Sequence, residues 1–206
     1  MSSSLPLLRS LSPLLIGLVL SLVIGCESSE TGPEGENQAK ASTAPESESH
    51  ATSFKLASTA FGPEQPIPPR HACTGQDLTP ALAWIHIPAD TRSLALLLED
   101  PDARIKGKPF THWLIYNIPP EISILPEGLP ASETLSLGAL QGLNDFGRPG
   151  YGGPCPPPGQ PHRYVFRLYA LDAMLSLQPG VNRAAFEQAI QGHLLAEARL
   201  TGSFAR

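Results

Sequence analysis

The hydrophobic and polar positions of the chain form several short segments, separated by stretches rich in proline and glycine. Residues 54–61 alternate loosely, and residues 81–87 are a second apolar stretch that Pro88 ends, so both predict β-strands. Residues 93–99 are almost entirely apolar, which indicates a central strand that is buried on both faces. This pattern is typical of a β-sheet protein.

Two further strands alternate more clearly. Residues 110–118 predict a strand with His112, Leu114, Tyr116 and Ile118 on one face and Trp113, Ile115 and Asn117 on the other. Residues 162–171 predict a strand that carries His162 and Tyr164 on one face, followed by Phe166 and Leu168. Between them, residues 122–141 contain two prolines that argue against a long helix, and residues 142–147 are typical of a turn.

One helix is predicted close to the end of the chain. Asn182 is a suitable N-cap, and an apolar face follows it at intervals of four residues: Phe186, Ile190, Leu194 and Ala198. Gly192 weakens the middle of this helix by about 1 kcal/mol relative to alanine, and Gly202 is a natural stop. The chain therefore predicts a mainly β, sandwich-like domain with a C-terminal helix.

The first 25 residues do not look like part of the fold. Their apolar run, residues 11–24, is shorter than the roughly 20 residues that a membrane-spanning helix needs, so it predicts a signal peptide. The run ends in Leu-Val-Ile-Gly-Cys, which resembles the lipobox of bacterial lipoproteins. Such a resemblance implies that Cys26 is lipidated and becomes the new N-terminus. The alternative is an ordinary signal peptide, which prefers a small residue where this chain has Val23.

Residues 26–52 predict a disordered tether, because after Cys26 they contain no aromatic residue and no Val, Ile or Leu. A lipidated tether would hold the domain in a bacterial cell envelope, on the periplasmic side, and Glu27 is compatible with the outer membrane in a Gram-negative host. The remaining residues, 53–206, hold 13 acidic and 12 basic side chains. A nearly neutral domain has no basic stripe, so nucleic acid is not an expected partner.

The three cysteines divide into one for the lipid and one pair. If Cys26 is lipidated, Cys73 and Cys155 remain as an even pair in a secreted protein, and a disulfide between them is plausible. The alternative is a reactive Cys155 working with His162, although prolines flank this cysteine and no helix N-terminus is predicted to lower its pKa. Two isolated cysteines are weak support for zinc.

Residues 150–164 are the stretch with the clearest binding chemistry. They begin as a glycine- and proline-rich loop and end as the strand that starts at His162. Glycines allow backbone amides to approach a ligand closely, while prolines stiffen the loop. A histidine and a tyrosine at the beginning of a strand, beside a rigid loop, suit a small anionic group. The sequence predicts a pocket there.

Several short motifs, taken together in this order, resemble the phosphatidylethanolamine-binding protein family, and specifically its bacterial Raf-kinase-inhibitor-like branch. They are Cys-Thr-Gly at 73–75, Leu-Ala-Trp at 82–84, Asp-Pro-Asp-Ala at 100–103, His-Trp at 112–113, Gly-Leu-Asn-Asp-Phe-Gly at 142–147, Gly-Pro-Cys-Pro-Pro at 153–157, His-Arg-Tyr at 162–164 and Ala-Ile-Gln-Gly-His at 189–193. The resemblance covers residues 54–206.

This resemblance implies an antiparallel β-sandwich with flanking sheet and helix, and a small pocket for phosphate-like anions. The ligand-binding residues that it implies are Asp100, Asp102, His112, His162 and Tyr164, with Gly153 and Pro154 in the rim. Members of the family bind phospholipid headgroups or modulate kinases and proteases, so a headgroup, a small anion or a protein partner is expected. Arg104 is a departure, because the family usually has proline after Asp-Pro-Asp-Ala.

Carboxylates beside an anion pocket need an explanation, because like charges repel. An aspartate that accepts a hydrogen bond from His112 or His162 would raise the imidazole pKa, so that the ring donates to the anion. An aspartate could also pair with the ammonium of a zwitterionic ligand. We expect ligand binding without catalysis and without a cofactor. The alternatives are a zinc-dependent hydrolase built on the His/Asp cluster and an inhibitor module that acts independently of the pocket.

Simpler interpretations remain open for individual residues. His112 could be a half-buried strand histidine, and one of the two aspartates, Asp100 or Asp102, could cap a turn. Outside the motifs, the expectations are surface positions for His50, His71 and His86, a packing role for His193, core or pocket-wall positions for Trp84 and Trp113, and a closing role at the pocket for Tyr151.

Overall fold

Residues 53–206, the part of the chain that the computed structural model describes, contain nine strands and one α-helix, with a short 3-10 turn at Pro69–His71. The strands are β1 (Lys55–Ser58), β2 (Gln65–Pro66), β3 (Leu82–Ile85), β4 (Ser93–Ile105), β5 (Lys108–Ile118), β6 (Ile124–Leu125), β7 (Leu140–Gln141), β8 (His162–Leu171) and β9 (Leu194–Phe204), and helix α1 is Arg183–Ala189. The expected signal peptide, the lipidated Cys26, the tether and His50 lie outside the described residues.

The strands form two sheets that pack face to face. The smaller has the order β1-β3-β6, and the larger has the order β2-β9-β8-β4-β5-β7. The short β2–β9 pairing is parallel, and the other named pairings are antiparallel. The predicted mainly β, antiparallel sandwich is confirmed.

Strand β4 is the centre of the fold because both of its faces are buried. Leu94, Leu96 and Leu98 belong to the core between the two sheets, where Trp84 and Trp113 are also buried. The alternate residues Ala95 and Leu97 face a second, smaller core on the other side of the large sheet, which Phe186 of α1 covers. A strand with two apolar environments needs apolar residues at nearly every position, so the prediction for residues 93–99 is confirmed.

The predicted faces of β5 are wrong in part, because the strand is irregular at two places. Leu98 lies opposite Trp113 but Glu99 lies opposite Thr111, so His112 is an extra residue in β5. A second irregularity lies near Asn117, whose φ is 56°. Each extra residue reverses the faces that follow it. Ile118 therefore joins Trp113 in the core between the sheets, whereas Leu114 and Tyr116 face the smaller core.

The helix prediction is correct at its start and wrong at its end. The side chain of Asn182 caps α1 by accepting a hydrogen bond from the backbone N–H of Ala185 at 3.0 Å. The helix ends at Ala189, and the turn that follows contains Gly192 at a φ of 81°. Residues 194–204 then form β9, not a second half of the helix. Within residues 53–206, no helix is long and apolar enough to cross a membrane.

Candidate functional site

A small cavity lies where the end of β4, the middle of β5 and the beginning of β8 meet. Its volume is about 100 Å³. The lining residues are Asp100, Ala103, Phe110, His112, Phe146, Cys155, Pro156, Pro157 and His162. Three of the residues expected to bind a ligand, Asp100, His112 and His162, are thus brought together, although they come from three different strands.

Asp100 is the buried acid of the site, with 2% of its surface exposed. Its Oδ2 accepts a hydrogen bond from Nδ1–H of His162 at 2.8 Å. Its Oδ1 accepts from the backbone N–H groups of Asp102 at 2.8 Å and Ala103 at 3.0 Å. One carboxylate therefore caps the irregular turn within β4 at residues 100–103 and also orients a histidine, the two roles that the sequence divided between Asp100 and Asp102. Because Nδ1–H of His162 is used, its Nε2 is the nitrogen left for a ligand.

His112 is held through the same ring nitrogen as His162, by the loop opposite β5. It is the extra residue of the strand, and its Nδ1–H donates to the carbonyl oxygen of Gly152 at 2.6 Å. Burial lowers the pKa of His112, and the Gly152 carbonyl offsets only part of this effect. The expectation of a raised imidazole pKa is therefore wrong for His112, because the ring is buried and its partner is a neutral carbonyl. A neutral ring bonded in this way has Nε2 as an acceptor.

Tyr164 lies against the site but does not line the cavity. Its ring packs edge-on to His112, with ring centres 5.2 Å apart. Its buried hydroxyl has no hydrogen-bond partner among the described residues, although Asp100 and the Cys155 carbonyl are near enough to influence it. Burial and then the charge of Asp100 raise the pKa of Tyr164. The hydroxyl is thus a neutral donor that the fold leaves unused.

Asp102 points away from the cavity. Its carboxylate accepts hydrogen bonds from the Arg163 guanidinium at 2.7 and 3.1 Å and from the Arg163 backbone N–H at 2.9 Å. These hydrogen bonds lower the pKa of Asp102 to about 2. Asp102 is connected to the site by its backbone N–H, which donates a hydrogen bond to Oδ1 of Asp100. The structure therefore does not place Asp102 among the residues that line the cavity.

Gly153 and Pro154 hold the rim of the cavity in place without lining it. The N–H of Gly153 donates to Oδ1 of Asp77 at 2.7 Å, and the Pro154 carbonyl accepts from the N–H of Cys73 at 3.1 Å. A Cβ at position 153 would lie 2.3 Å from the carbonyl oxygen of His71, so only glycine fits here. The lining atoms of this loop belong to the next residues, Cys155 to Pro157.

A disulfide between Cys73 and Cys155 fastens the rim, as predicted. It joins the lining residue Cys155 to the loop that also supplies Asp77 and crosses 82 positions of sequence. A cysteine in a disulfide is not a nucleophile, so the alternative of a reactive Cys155 thiol beside His162 is wrong for this form of the protein.

The apolar wall of the cavity is formed by Phe110 and Phe146, neither of which was predicted there, whereas Trp84 and Trp113 lie in the core. Phe110 and Phe146 contact each other with ring centres 4.8 Å apart, and Phe146 also packs edge-on to His112 at 5.4 Å. Asn144 fixes the loop, since its Oδ1 accepts from the N–H of Phe146 at 3.0 Å and its Nδ2–H donates to the Gly150 carbonyl at 2.9 Å. The turn-like motif at 142–147 was the available signal, but it did not say which side chain would face the ligand.

Other expectations have mixed outcomes. His71 is buried rather than on the surface, because its Nδ1–H donates to the carbonyl of Leu78 at 2.9 Å beneath the 69–78 loop. Tyr151 does not close the pocket; it is buried against Trp113 and donates to the His71 carbonyl at 2.7 Å. His193 lies in the turn before β9 and pairs with Asp172. Across residues 53–206, no three His, Cys, Asp or Glu side chains are grouped to hold a metal ion.

Comparisons with known proteins agree with the fold. The family described as phosphatidylethanolamine-binding protein matches residues 57–205. A UPF0098 protein of Methanothermobacter thermautotrophicus is 46% identical over 153 residues, which are 74% of this chain and 99% of that relative. The crystal structure of a phosphatidylethanolamine-binding protein homologue from Chlamydia trachomatis has a TM-score of 0.68 and 38% identity, covering 74% of this chain and 97% of that one.

The crystal structure of YbcL from E. coli, a further member of the family, has a TM-score of 0.69 and 31% identity. It covers 74% of this chain and 98% of its own. Each crystal structure covers 74% of this chain, which is about the length of residues 53–206. The family match covers residues 57–205 of the same region. The chain belongs to the phosphatidylethanolamine-binding protein family.

Proposed function

We propose that this domain binds a small zwitterionic ligand of the phosphate–amine type, such as a phospholipid headgroup, in the cavity formed by β4, β5 and β8. The observation that carries the proposal is the pair of imidazoles that line one cavity beside a single buried carboxylate. Each imidazole has one nitrogen committed to the protein, so each has its Nε2 left for a ligand.

His162 suits the anionic part of such a ligand. Its Nδ1–H is held by Asp100, so a protonated ring directs Nε2–H as a charge-assisted donor. No lysine or arginine is among the residues that line the cavity, so the imidazole is the source of positive charge there. Binding of phosphate should therefore depend on this ring.

Asp100, His112 and the aromatic wall suit the cationic part. The neutral His112 ring has an acceptor nitrogen, and Asp100 supplies negative charge. Phe110 and Phe146 present aromatic surface, which attracts an ammonium group. A ligand with only an anionic group would leave these features unused. Because the cavity holds about 100 Å³, it fits a headgroup-sized moiety and leaves a longer ligand outside.

Calorimetric titration tests the proposal. The full chain should bind phosphoethanolamine more tightly than inorganic phosphate, because only the former meets both halves of the site. His162→Ala should weaken both ligands at least tenfold, which corresponds to losing one charge-assisted hydrogen bond of about 1.5–3 kcal/mol.

The matched control is His193→Ala. His193 is also a histidine whose Nδ1–H bonds an aspartate at 2.8 Å, but this pair is exposed and lies outside the cavity. Its removal should leave both affinities unchanged. Wild-type protein that binds neither ligand, or equal losses in the two variants, would contradict the proposal.

We also propose that the domain works on the outer side of the cytoplasmic membrane, tethered through lipidated Cys26. The lipobox-like residues 22–26 support this, and so does the Cys73–Cys155 disulfide, because disulfides persist mainly in oxidising compartments. Labelled fatty acid supplied to expressing cells should be incorporated into the wild-type chain and not into Cys26→Ser. A wild-type chain without label would overturn the anchor and leave the ligand proposal intact.

A further inference from the structure

The hairpin formed by β4 and β5 extends beyond the rest of the large sheet. The pairing of β4 with β8 ends at Glu99 and Val165, whereas its pairing with β5 continues to Ile105 and Lys108. Residues 100–110 are therefore a two-stranded ribbon. The ribbon closes in a tight turn at Lys106 and Gly107, which both have positive φ. Two central residues with positive φ are typical of a type I′ turn, which matches the natural twist of a hairpin and holds the tip in a defined shape.

The tip of this ribbon carries cations without acidic partners beside an exposed apolar side chain. Ile105 is 41% exposed. Arg104 bonds only the Gly107 carbonyl, at 2.9 Å, and neither Arg104 nor Lys106 has a carboxylate within 4 Å in the described part of the chain. Nearby arginines differ, since Arg163 pairs with Asp102. The tip therefore has positive charge that the domain itself does not neutralise.

The base of the same ribbon forms one wall of the ligand cavity. Ala103 and Phe110 line it from the ribbon, and Phe146 lines it from the facing loop while remaining 47% exposed. The ribbon thus carries an exposed apolar side chain and two unpaired cations at its tip, and at its base it forms a wall of the ligand cavity beside the exposed Phe146. This combination fits the surface of an anionic bilayer, where apolar side chains enter the boundary between headgroups and acyl chains and cations meet lipid phosphates.

We propose that the ribbon of residues 100–110, together with Phe146, docks on an anionic bilayer, so that the cavity takes its headgroup from the membrane and not from solution. The identity of the headgroup rests on the function proposed above, whereas the docking itself does not require an occupied cavity. Arg104, which replaces the proline usual in the family, contributes one of the two cations. It acts at the membrane and not inside the cavity, which it does not line.

A local fluorescent probe tests the docking in the full chain, because it reports on the ribbon even if the N-terminus also binds the vesicle. Trp84 and Trp113 are buried, so their emission should not respond to a membrane. The tryptophan introduced by Ile105→Trp should shift its emission to shorter wavelength with phosphatidylcholine vesicles that contain about 30% phosphatidylglycerol, and much less with phosphatidylcholine alone. Ile124→Trp, an exposed position in the small sheet, is the matched probe control and should not shift.

Charge variants test whether Arg104 and Lys106 are the reason that the ribbon binds anionic vesicles. Each cation near an anionic surface contributes about a fivefold change in affinity, so Arg104→Gln with Lys106→Gln should weaken the vesicle response of the Ile105→Trp probe about 25-fold. Lys55→Gln with Arg92→Gln removes the same charge from exposed positions at the other end of the domain and should have little effect. Binding of free phosphoethanolamine should be unchanged in both pairs.

The outcomes separate the two proposals. A probe at position 105 that ignores anionic vesicles, while phosphoethanolamine still binds, overturns the docking and leaves the ligand site. A probe that responds while no headgroup compound binds overturns the ligand proposal and leaves the docking. Equal loss from the two charge pairs would show that net charge, and not the ribbon, attracts the vesicle, and would also overturn the docking.

Discussion

Glu99 and Asp100 are neighbours in one strand, equally buried, and yet they lie in opposite chemical environments. Glu99 faces the helix side of the large sheet, where Arg167 and Arg183 each approach one of its oxygens to 2.7 Å. Asp100 faces the cavity side, where it holds one histidine and two backbone N–H groups. The exposed fractions of the two residues are 3% and 2%.

The difference between these two carboxylates separates a structural site from a binding site. Glu99 is ion-paired with two permanently charged partners, Arg167 and Arg183, and it does not line the ligand cavity. The partner of Asp100 is the imidazole of His162, whose Nε2 is left free for a ligand. Burial of an acid is therefore not enough to indicate function. The informative feature is that the hydrogen-bond partner of the acid has a second polar atom free, and that this atom faces a cavity.

The largest expected effect is a loss of stability when Glu99, the acid with the structural role, is replaced. Glu99→Gln removes the charge that Arg167 and Arg183 share, and because each arginine keeps one partly exposed carboxylate, Glu197 or Glu187, the expected cost is that of lost charge-assisted hydrogen bonds, about 1.5–3 kcal/mol. Urea denaturation should show this loss in the free energy of unfolding. Glu121→Gln, an exposed glutamate, is the control and should change it by less than about 0.5 kcal/mol. A loss below about 1 kcal/mol for Glu99→Gln would contradict the structural role.

The corresponding change at Asp100, the acid with the binding role, should lower ligand affinity more than it lowers stability. Asp100→Asn keeps an oxygen for the turn but removes the charge that orients His162, so the free energy of unfolding should fall by about 1–2 kcal/mol. The affinity for phosphoethanolamine should fall at least tenfold by calorimetry. Unchanged affinity in a folded Asp100→Asn variant would place the binding determinant elsewhere.

The pH dependence of stability should report His112. Burial lowers its pKa in the folded state, so below the unfolded value of about 6.5 the unfolded chain binds more protons than the folded chain. Stability is then complete above this pH and decreases as the pH falls through the window between the two values. His112→Phe should flatten this part of the curve, whereas His86→Gln, at an exposed position, should not. Identical slopes in the wild type and His112→Phe would refute the assignment.

The smallest effect is expected at the third acid of the region. Asp102 forms an exposed pair with Arg163, so Asp102→Asn should cost about 0.2–1 kcal/mol. Its pKa in the folded state is about 2, so this contribution is present above the unfolded value of about 4 and is lost as the pH falls towards 2. Because Asp102 does not line the cavity, phosphoethanolamine affinity should be unchanged. A tenfold loss of affinity would restore the ligand-binding role that the sequence motif implied.

The sequence was most informative where one physical rule governed a segment. Residues 93–99 have apolar side chains on both faces because β4 is buried on both faces. Residues 162–171 alternate because one side of β8 is in the main core, and this places His162 and Tyr164 as predicted. Asp100, His112 and His162 came from the family resemblance, and the strand pattern alone would not have joined them.

The failures have equally specific causes. A spacing of four residues, as between Leu194 and Ala198, fits a helix but is also twice the repeat of a strand, and the pairing of β9 with β8 decided for the strand. The extra residue at His112 cannot be seen in the alternation, because an irregularity shows only against a partner strand. The role of Asp77 in holding Gly153 depends on a contact across 76 positions of sequence, which no local pattern contains.

The most direct test of the account is an NMR titration of the imidazole signals with phosphoethanolamine. The ring signals of His162 and His112 should both shift in the wild-type protein, with a common dissociation constant, while those of His193 and His71 stay fixed. The common constant is expected because the two rings line one cavity. Shifts confined to other histidines, or different dissociation constants for His162 and His112, would contradict a single binding site where β4, β5 and β8 meet.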